Sequence, residues 1–317
     1  MIGTCVDTAA LHLQADKVVA IPTETVYGLA GNALSEKALA TIFQVKNRPQ
    51  FDPLIVHIAD TAQVSRYATD FPEKAQQLAA EFWPGPLTLL LPKNNIIPDL
   101  CTSGLSRVAL RIPNHPLALK LLKKLSFPLA APSANPFGYI SPTTAQHVAD
   151  QLGDKISYIL DGGACQVGLE STIVGFEADE AVVYRKGGLS IEAIEAVIGK
   201  VRVMQHSTSQ PAAPGMLKSH YAPRIPLMLG NLDELLKQAH PQQIGILSFR
   251  KKYIQLPDSQ QIVLSETGNY AEAAQRLFAA LRYLDSLPIR IIFAELLPEE
   301  DLGRAINDRL RRAAAVR

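Results

Sequence analysis

The stretch "EKALATIFQVKNRPQFDPLIVHIA", residues 36–59, decides the fold class. Its first half carries apolar residues at helical spacing, a break rich in charge and proline follows, and "PLIVHIA" reads as a short apolar strand. The rhythm extends in both directions. Strand "KVVAIPT" (17–23) precedes it, and helix "EKAQQLAAEFW" (73–83) leads to strands "PLTLLLP" (86–92) and "RVALRIP" (107–113). Helix "HPLALKLLKKL", strand end "PLAAPS" and helix "TTAQHVADQLG" come next, then strands "YILDGG", "STIVGFE" and "AVVYRKG". This alternation predicts an α/β fold, and the hairpin spacing of several strands predicts a mixed sheet.

A second unit follows "PAAPGMLKSHYAPRIP" (211–226), a proline-cornered segment that carries Met216, His220 and Tyr221 where a plain linker would be polar. Strands "IPLML", "IGILSF", "QIVLSE" and "IRIIFAEL" alternate there with helices "LDELLKQAH", "YAEAAQRLFAALRYLDS" and "GRAINDRLRRAAA". That pattern predicts a small open parallel sheet of Rossmann-like kind. The expected division is a first domain over 1–205, a linker over 206–226 and a C-terminal domain over 227–317.

At 317 residues and 47% hydrophobic content the chain can fill two cores. Its 31 basic and 30 acidic residues leave no net field to attract nucleic acid or membrane, so an anionic ligand must be met locally. The three cysteines, Cys5, Cys101 and Cys165, form no CxxC pair, which fits a reducing cytoplasm. The first residues lack a secretory leader and no run of apolar residues is long enough to span a bilayer, so a cytoplasmic protein is expected.

Neither GxxxxGK[ST] nor a strand-following GxGxxG occurs, and "DGGACQVGLEST" (161–172) lacks the P-loop lysine and reads alone as a bulged turn. Arg111 interrupts the apolar strand "VALRIP": it meets something anionic, or it sits on the solvent face of an edge strand. His57 in "PLIVHIA" is a core or edge residue, or a ligand-binding one. The loop "PSANPFGYISP" (132–142) offers Ser133, Asn135 and Ser141 for phosphate oxygens, or for turns and caps. Lys46 and Arg48 flank a helix end, where cations also complement the dipole. Arg48, Arg107, Arg111 and Arg185 each stand at an element boundary beside Ser, Thr or Asn, and together they suggest a polyphosphate site.

In this order, "IPTETVYGLAGNA", "KNRPQFDPLIVHI", "WPGPLTLLLP", "VALRIPNHP", "AAPSANPFG", "GLESTIV" and "PGMLKSHYAP" resemble the Sua5/YrdC family in its long two-domain form. The resemblance implies a YrdC-like twisted mixed sheet with a groove, followed by a smaller Rossmann-like Sua5 domain. It implies formation of threonylcarbamoyl-AMP and pyrophosphate from L-threonine, bicarbonate or CO2, and ATP, with Mg2+ carried by the triphosphate. The product would pass to the tRNA threonylcarbamoyl-transfer machinery for the t6A modification. By similarity Thr25, His57, Arg111, Ala131 and Ser171 hold threonine. Arg48, Asp52, Arg107, Ser133, Asn135, Ser141, Arg185 and Tyr221 hold ATP, and Lys46, Arg48 and Arg185 act in catalysis. An RNA-binding module that uses the same groove without catalysis is the alternative.

Three positions depart from the family pattern. Asp52 stands where "RPxxNPL" carries Asn, Asn47 replaces the glycine of "KGRP", and "MLKSHY" is less basic than "MKYRHY". Asparagine tolerates left-handed backbone angles, so Asn47 is expected to be a mild change.

Overall fold

The computed structural model describes residues 1–178, 180–204, 213–214, 220–237 and 240–315. The 205/206 boundary and Met216 of the proline-cornered segment lie outside the described residues. Among those residues, eleven strands form one mixed sheet. They are β1 (Ile2–Gly3), β2 (Val19–Ile21), β3 (Gly28–Asn32), β4 (Ile55–His57), β5 (Leu87–Pro92) and β6 (Arg107–Arg111). The others are β7 (Leu129–Ala130), β8 (Tyr158–Leu160), β9 (Thr172–Glu177), β10 (Glu180–Arg185) and β11 (Arg202–Val203). In space they run β1-β8-β2-β3-β7-β4-β6-β5-β9-β10-β11, with parallel and antiparallel neighbours intermixed.

The second sheet holds β12 (Leu227–Leu229), β13 (Ile244–Ser248), β14 (Gln261–Val263) and β15 (Ile291–Ala294), ordered β12-β15-β13-β14 and parallel throughout. The mixed-sheet domain and the smaller parallel-sheet domain expected from the sequence are therefore the observed architecture. Among the described residues no helix is long and apolar enough to cross a membrane.

Local chemistry sets the element ends. Ser35 caps the helix Glu36–Lys46 by accepting from Ala38 N, and Asn47 ends it in the left-handed conformation (φ 51°, ψ 40°). Asparagine thus does the work of the family's glycine and turns Arg48 inward. The helix Tyr270–Ser286 matches the predicted span and is capped by Asn269. The helices Val6–Gln14 and Ile191–Ile198 and the strand β3 were not anticipated. Strand β3, "GLAGN", lacks β-branched residues because its neighbours come close: a Cβ on Gly28 would meet the Ala131 Cβ at 3.1 Å.

Among the described residues the buried apolar side chains form five clusters, and one of them joins the domains. Val26, Ile140, Leu169 and Tyr221 pack in one buried cluster with Leu277, Phe278 and Leu281 of the C-terminal unit. Burial at about 25 cal/mol per Å2 of apolar surface makes this contact part of the fold. The turn before β3, the loop after β7 and Tyr221 of the proline-cornered segment are thereby packed against the C-terminal helices.

Candidate active site

The site forms where strand ends meet. Strands β4 and β6 are parallel with His57 in register with Arg111, and antiparallel β7 pairs its first residue, Leu129, with His57, so the exits of β4 and β6 lie together beside the start of β7. The turn between β2 and β3 approaches the same point. There Thr23 Oγ1 donates to Val26 O at 2.7 Å and accepts from the amides of Thr25 (3.1 Å) and Val26 (3.2 Å). This hydroxyl-braced turn aims Glu24 and Thr25 at Arg111. The exits surround a cavity of about 50 Å3, room for only a few waters.

Arg111 is buried and fully oriented on one side. Its Nη2 donates to Glu24 Oε1 (2.7 Å) and Thr25 Oγ1 (2.9 Å), and its Nε donates to Gly85 O (3.3 Å). No described residue accepts from Nη1. Asn114 N donates to the second Glu24 oxygen at 3.0 Å, so that carboxylate is satisfied at both ends. His57 lies beside Arg111, and its buried Nδ1 has no hydrogen-bond partner among the described residues. Burial, reinforced by the Arg111 charge, pushes the imidazole down to about 3, so it is neutral at physiological pH. Thr25, His57, Arg111 and Ala131 all line the cavity.

A second arginine enters from the helix end. Arg48 donates from Nε to Asp52 O (3.0 Å) and from Nη2 to Pro53 O (2.8 Å), and Nη2 meets Asp52 Oδ2 at 2.9 Å. Arg48 lines the cavity, whereas Asp52 is fully buried behind it. Asp52, expected from the sequence to meet nucleotide, is placed against Arg48, whose orientation it sets. Lys46 is buried too, its Nζ donating to Ser133 O and, at 2.6 Å, to Asn135 O. Burial, then the neighbouring Arg48, hold its ammonium well below the usual lysine range. Lys46 thus shapes the Ser133 loop from beneath, and Asn135 donates back to Pro136 O and Tyr139 O within it. Ser133 itself reaches the cavity.

The third arginine comes from β10. Arg185 donates to Ser171 O (3.0 Å) and Ser171 Oγ (3.1 Å), and Ser171 Oγ also bonds Thr88 Oγ1 at 2.7 Å. Gly187 permits this crossing: a Cβ there would lie 2.3 Å from Glu170 O. Burial lowers Arg185 to about 10, which leaves it charged at neutral pH and eager for an anion. Next to it, Glu170 lines the cavity, with Oε1 accepting from Ser141 Oγ (2.6 Å) and Oε2 from Arg309 Nη2 (2.9 Å). Burial alone would raise that carboxyl, but Arg309 and Arg185 reverse it and hold it below the usual range.

Pro214, His220 and Tyr221 of the proline-cornered segment close the cavity. Tyr221 has a left-handed backbone (φ 65°) and a ring 4.2 Å from His220 and 5.4 Å from Phe278, with Arg312 4.9 Å away. Burial, then Arg312, Arg48 and Lys46, keep His220 neutral. Of the residues expected from the sequence, Arg107 is not brought in. Its guanidinium donates to Tyr184 OH at 2.7 Å and stacks on that ring, away from the cavity lining. Ser171 and Ser141 act one bond back, through Arg185 and Glu170.

Sequence reasoning missed Glu24, Glu170 and Arg309. The first two stood inside the quoted motifs, each next to hydroxyl residues. Arg309 had its own signal: it falls three residues after Ile306 on the apolar face of the helix Gly303–Ala313, where it is fully buried.

The residues present form no metal cage. Among the described residues no group of three His, Cys, Asp or Glu side chains could hold an ion. Each carboxylate at the cavity is paired with an arginine: Glu24 with Arg111, Asp52 with Arg48, Glu170 with Arg309. A magnesium ion brought by a nucleotide would find its oxygens on the phosphates.

Known proteins resemble this chain in sequence and fold. Residues 12–187 match the family model described as "Telomere recombination", that of Sua5, YciO and YrdC, and residues 189–315 match the C-terminal domain of threonylcarbamoyl-AMP synthase. The threonylcarbamoyl-AMP synthase of Pyrococcus abyssi is 41% identical over 327 residues, spanning 98% of this chain and 94% of that protein. That of Bacillus subtilis is 41% identical over 320 residues, spanning 98% and 92%. The crystal structure of P. abyssi Sua5 complexed with L-threonine superposes with a TM-score of 0.91 at 38% identity, covering 99% of this chain and 97% of that one. The chain belongs to the Sua5/YrdC family, with the two-domain architecture of its threonylcarbamoyl-AMP synthases.

Proposed function

We propose that this chain joins L-threonine, bicarbonate or CO2, and ATP into threonylcarbamoyl-AMP, releasing pyrophosphate, in the cytoplasm. The product would supply the tRNA threonylcarbamoyl-transfer machinery that makes t6A. The observation that carries the reading is the convergence of Arg48, Arg111 and Arg185 on one small cavity also lined by Thr25, His57 and Ser133. Three guanidinium groups oriented by backbone and carboxylate partners before any ligand arrives are suited to two anionic reactants. The division into 1–205, 206–226 and 227–317 accompanies this proposal.

In this reading Arg111 takes the threonine carboxylate through its uncommitted Nη1 edge, beside Thr25 and Ala131. His57, held neutral at about 3, serves as a hydrogen-bond partner rather than a proton store. The threonine amine forms an N–C bond to CO2 and gives up a proton, and an oxygen of the resulting carbamate forms a bond to the α-phosphorus. The bond to pyrophosphate breaks on the opposite side. Arg48, Arg185 and the Ser133 loop neutralise charge developing on phosphate oxygens, a task in which one lost donor costs about 2.7–4 kcal/mol. Magnesium bound to the triphosphate supplies further charge neutralisation. Pro214, His220 and Tyr221 keep water from the mixed anhydride, and they must withdraw for substrates to enter so small a cavity.

Pyrophosphate release is the test. It should require ATP, L-threonine and bicarbonate together, and release that ignores threonine or bicarbonate contradicts the reading. Tight, salt-sensitive tRNA binding without ATP turnover would instead favour an RNA-binding module.

A further inference from the structure

We infer that Arg309, contributed by the C-terminal domain, is a positioning residue for the nucleotide: it cancels the charge of Glu170 so that a triphosphate can lie beside that carboxylate. The inference rests on the reading of the cavity as an ATP site. Among the described residues that line the cavity, Glu170 is the one whose side chain would repel phosphate, and it is held there by Ser141 Oγ at 2.6 Å. Arg309 meets its other oxygen twice, from Nη2 at 2.9 Å and from Nε at 3.1 Å. The arginine has no freedom to leave. It is fully buried, Nη1 donates to Lys186 O at 2.5 Å and to Asp308 Oδ2 at 3.0 Å, and the guanidinium lies 5.4 Å from the Tyr221 ring centre. One side chain therefore links the first domain's carboxylate, the turn after β10 and the covering tyrosine. Arg185, which lines the same cavity and gives its hydrogen bonds to Ser171 and Pro214 O, is left to face the incoming anion. The C-terminal domain becomes part of the nucleotide site through charge, with no contact of its own to substrate.

The test compares full-length wild type with Arg309→Met, Arg309→Lys and the double variant Arg309→Met/Glu170→Gln. ATP affinity is read by calorimetry without threonine or bicarbonate, and KM values for ATP and threonine are read alongside unfolding temperatures. Arg309→Met should weaken ATP binding about tenfold or more, with the threonine KM changed less than about twofold. Arg309→Lys should fall between it and wild type. The double variant, which removes the Glu170 charge together with its partner while Asp308 keeps Arg312 at 3.5 Å, should protect the fold and recover most of the lost ATP affinity. Equal losses for ATP and threonine, or a double variant no better than Arg309→Met, would overturn the inference, as would lowered stability with unchanged ATP affinity in Arg309→Lys and the double variant. Because ATP binding is measured without turnover, a wild-type enzyme that binds ATP but releases no pyrophosphate would strike the proposed reaction and leave this comparison decisive.

Discussion

Arg111 Nη2 donates to Glu24 Oε1 at 2.7 Å, and the two side chains are only 4% and 5% exposed. This buried pair is a support, since Glu24 is braced by Asn114 N and Thr25 shares the same nitrogen. It sets the guanidinium plane before any ligand arrives. Arg111→Ala is expected to raise the threonine requirement by roughly two orders of magnitude while ATP binding by calorimetry stays nearly intact. It should also cost about 3–5 kcal/mol of stability, because Glu24 is stranded. Equal loss of threonine and ATP binding would reject the separate roles.

Asp52 is buried against Arg48 at 2.9 Å. An asparagine there keeps an oxygen for the guanidinium, and the backbone bonds from Arg48 to Asp52 O and Pro53 O remain. Asp52→Asn should therefore preserve turnover and cost about 1–3 kcal/mol in denaturant unfolding. A collapse of turnover in a folded variant would show that the carboxylate carries a task beyond holding Arg48.

The neutral histidines make stability depend on acid. Burial, with Arg111, lowers His57 to about 3, and His220 lies well below its ordinary value. Below about pH 6.5 the unfolded chain takes up protons that these two positions refuse when folded. Stability is thus full above that pH and is lost as pH falls toward 3. At pH 5 His57 should cost about 2 kcal/mol, and His220 and partly buried His147, the latter lowered to about 4, add in the same direction. Urea midpoints at pH 7, 6 and 5 check this, and His57→Gln should flatten the decline. A midpoint independent of pH over that range would refute it.

How much of this was legible follows from the kind of pattern each feature leaves. The helix Tyr270–Ser286 was readable to the residue because its apolar period is long and Asn269 caps it. Arg111 and His57 stood out as polar breaks in apolar strands. Strand β3 did not, since its glycines are chosen for close neighbours that local sequence cannot reveal. Glu24 and Glu170 were hidden for a related reason: which arginine each carboxylate meets is set by tertiary packing, across separations such as the 139 residues between Glu170 and Arg309. The sequence showed the cations and hid their partners.

Tyr221 offers a test of the covering segment. Its ring is packed by Phe278, His220 and two arginines, so Tyr221→Phe should leave the unfolding temperature nearly unchanged. Tyr221 lines the proposed reaction space, and loss of its hydroxyl should slow turnover and increase AMP released by hydrolysis of the adenylate. An unchanged rate with unchanged AMP release would reduce the segment to a spacer.

The central claim is most directly tested by following carbon from labelled bicarbonate. Incubated with ATP, L-threonine and isotopically labelled bicarbonate, the protein should yield threonylcarbamoyl-AMP whose mass carries the label, with pyrophosphate in equal amount, and none when threonine is omitted. Pyrophosphate or AMP formed without label entering an adenylate would contradict the account.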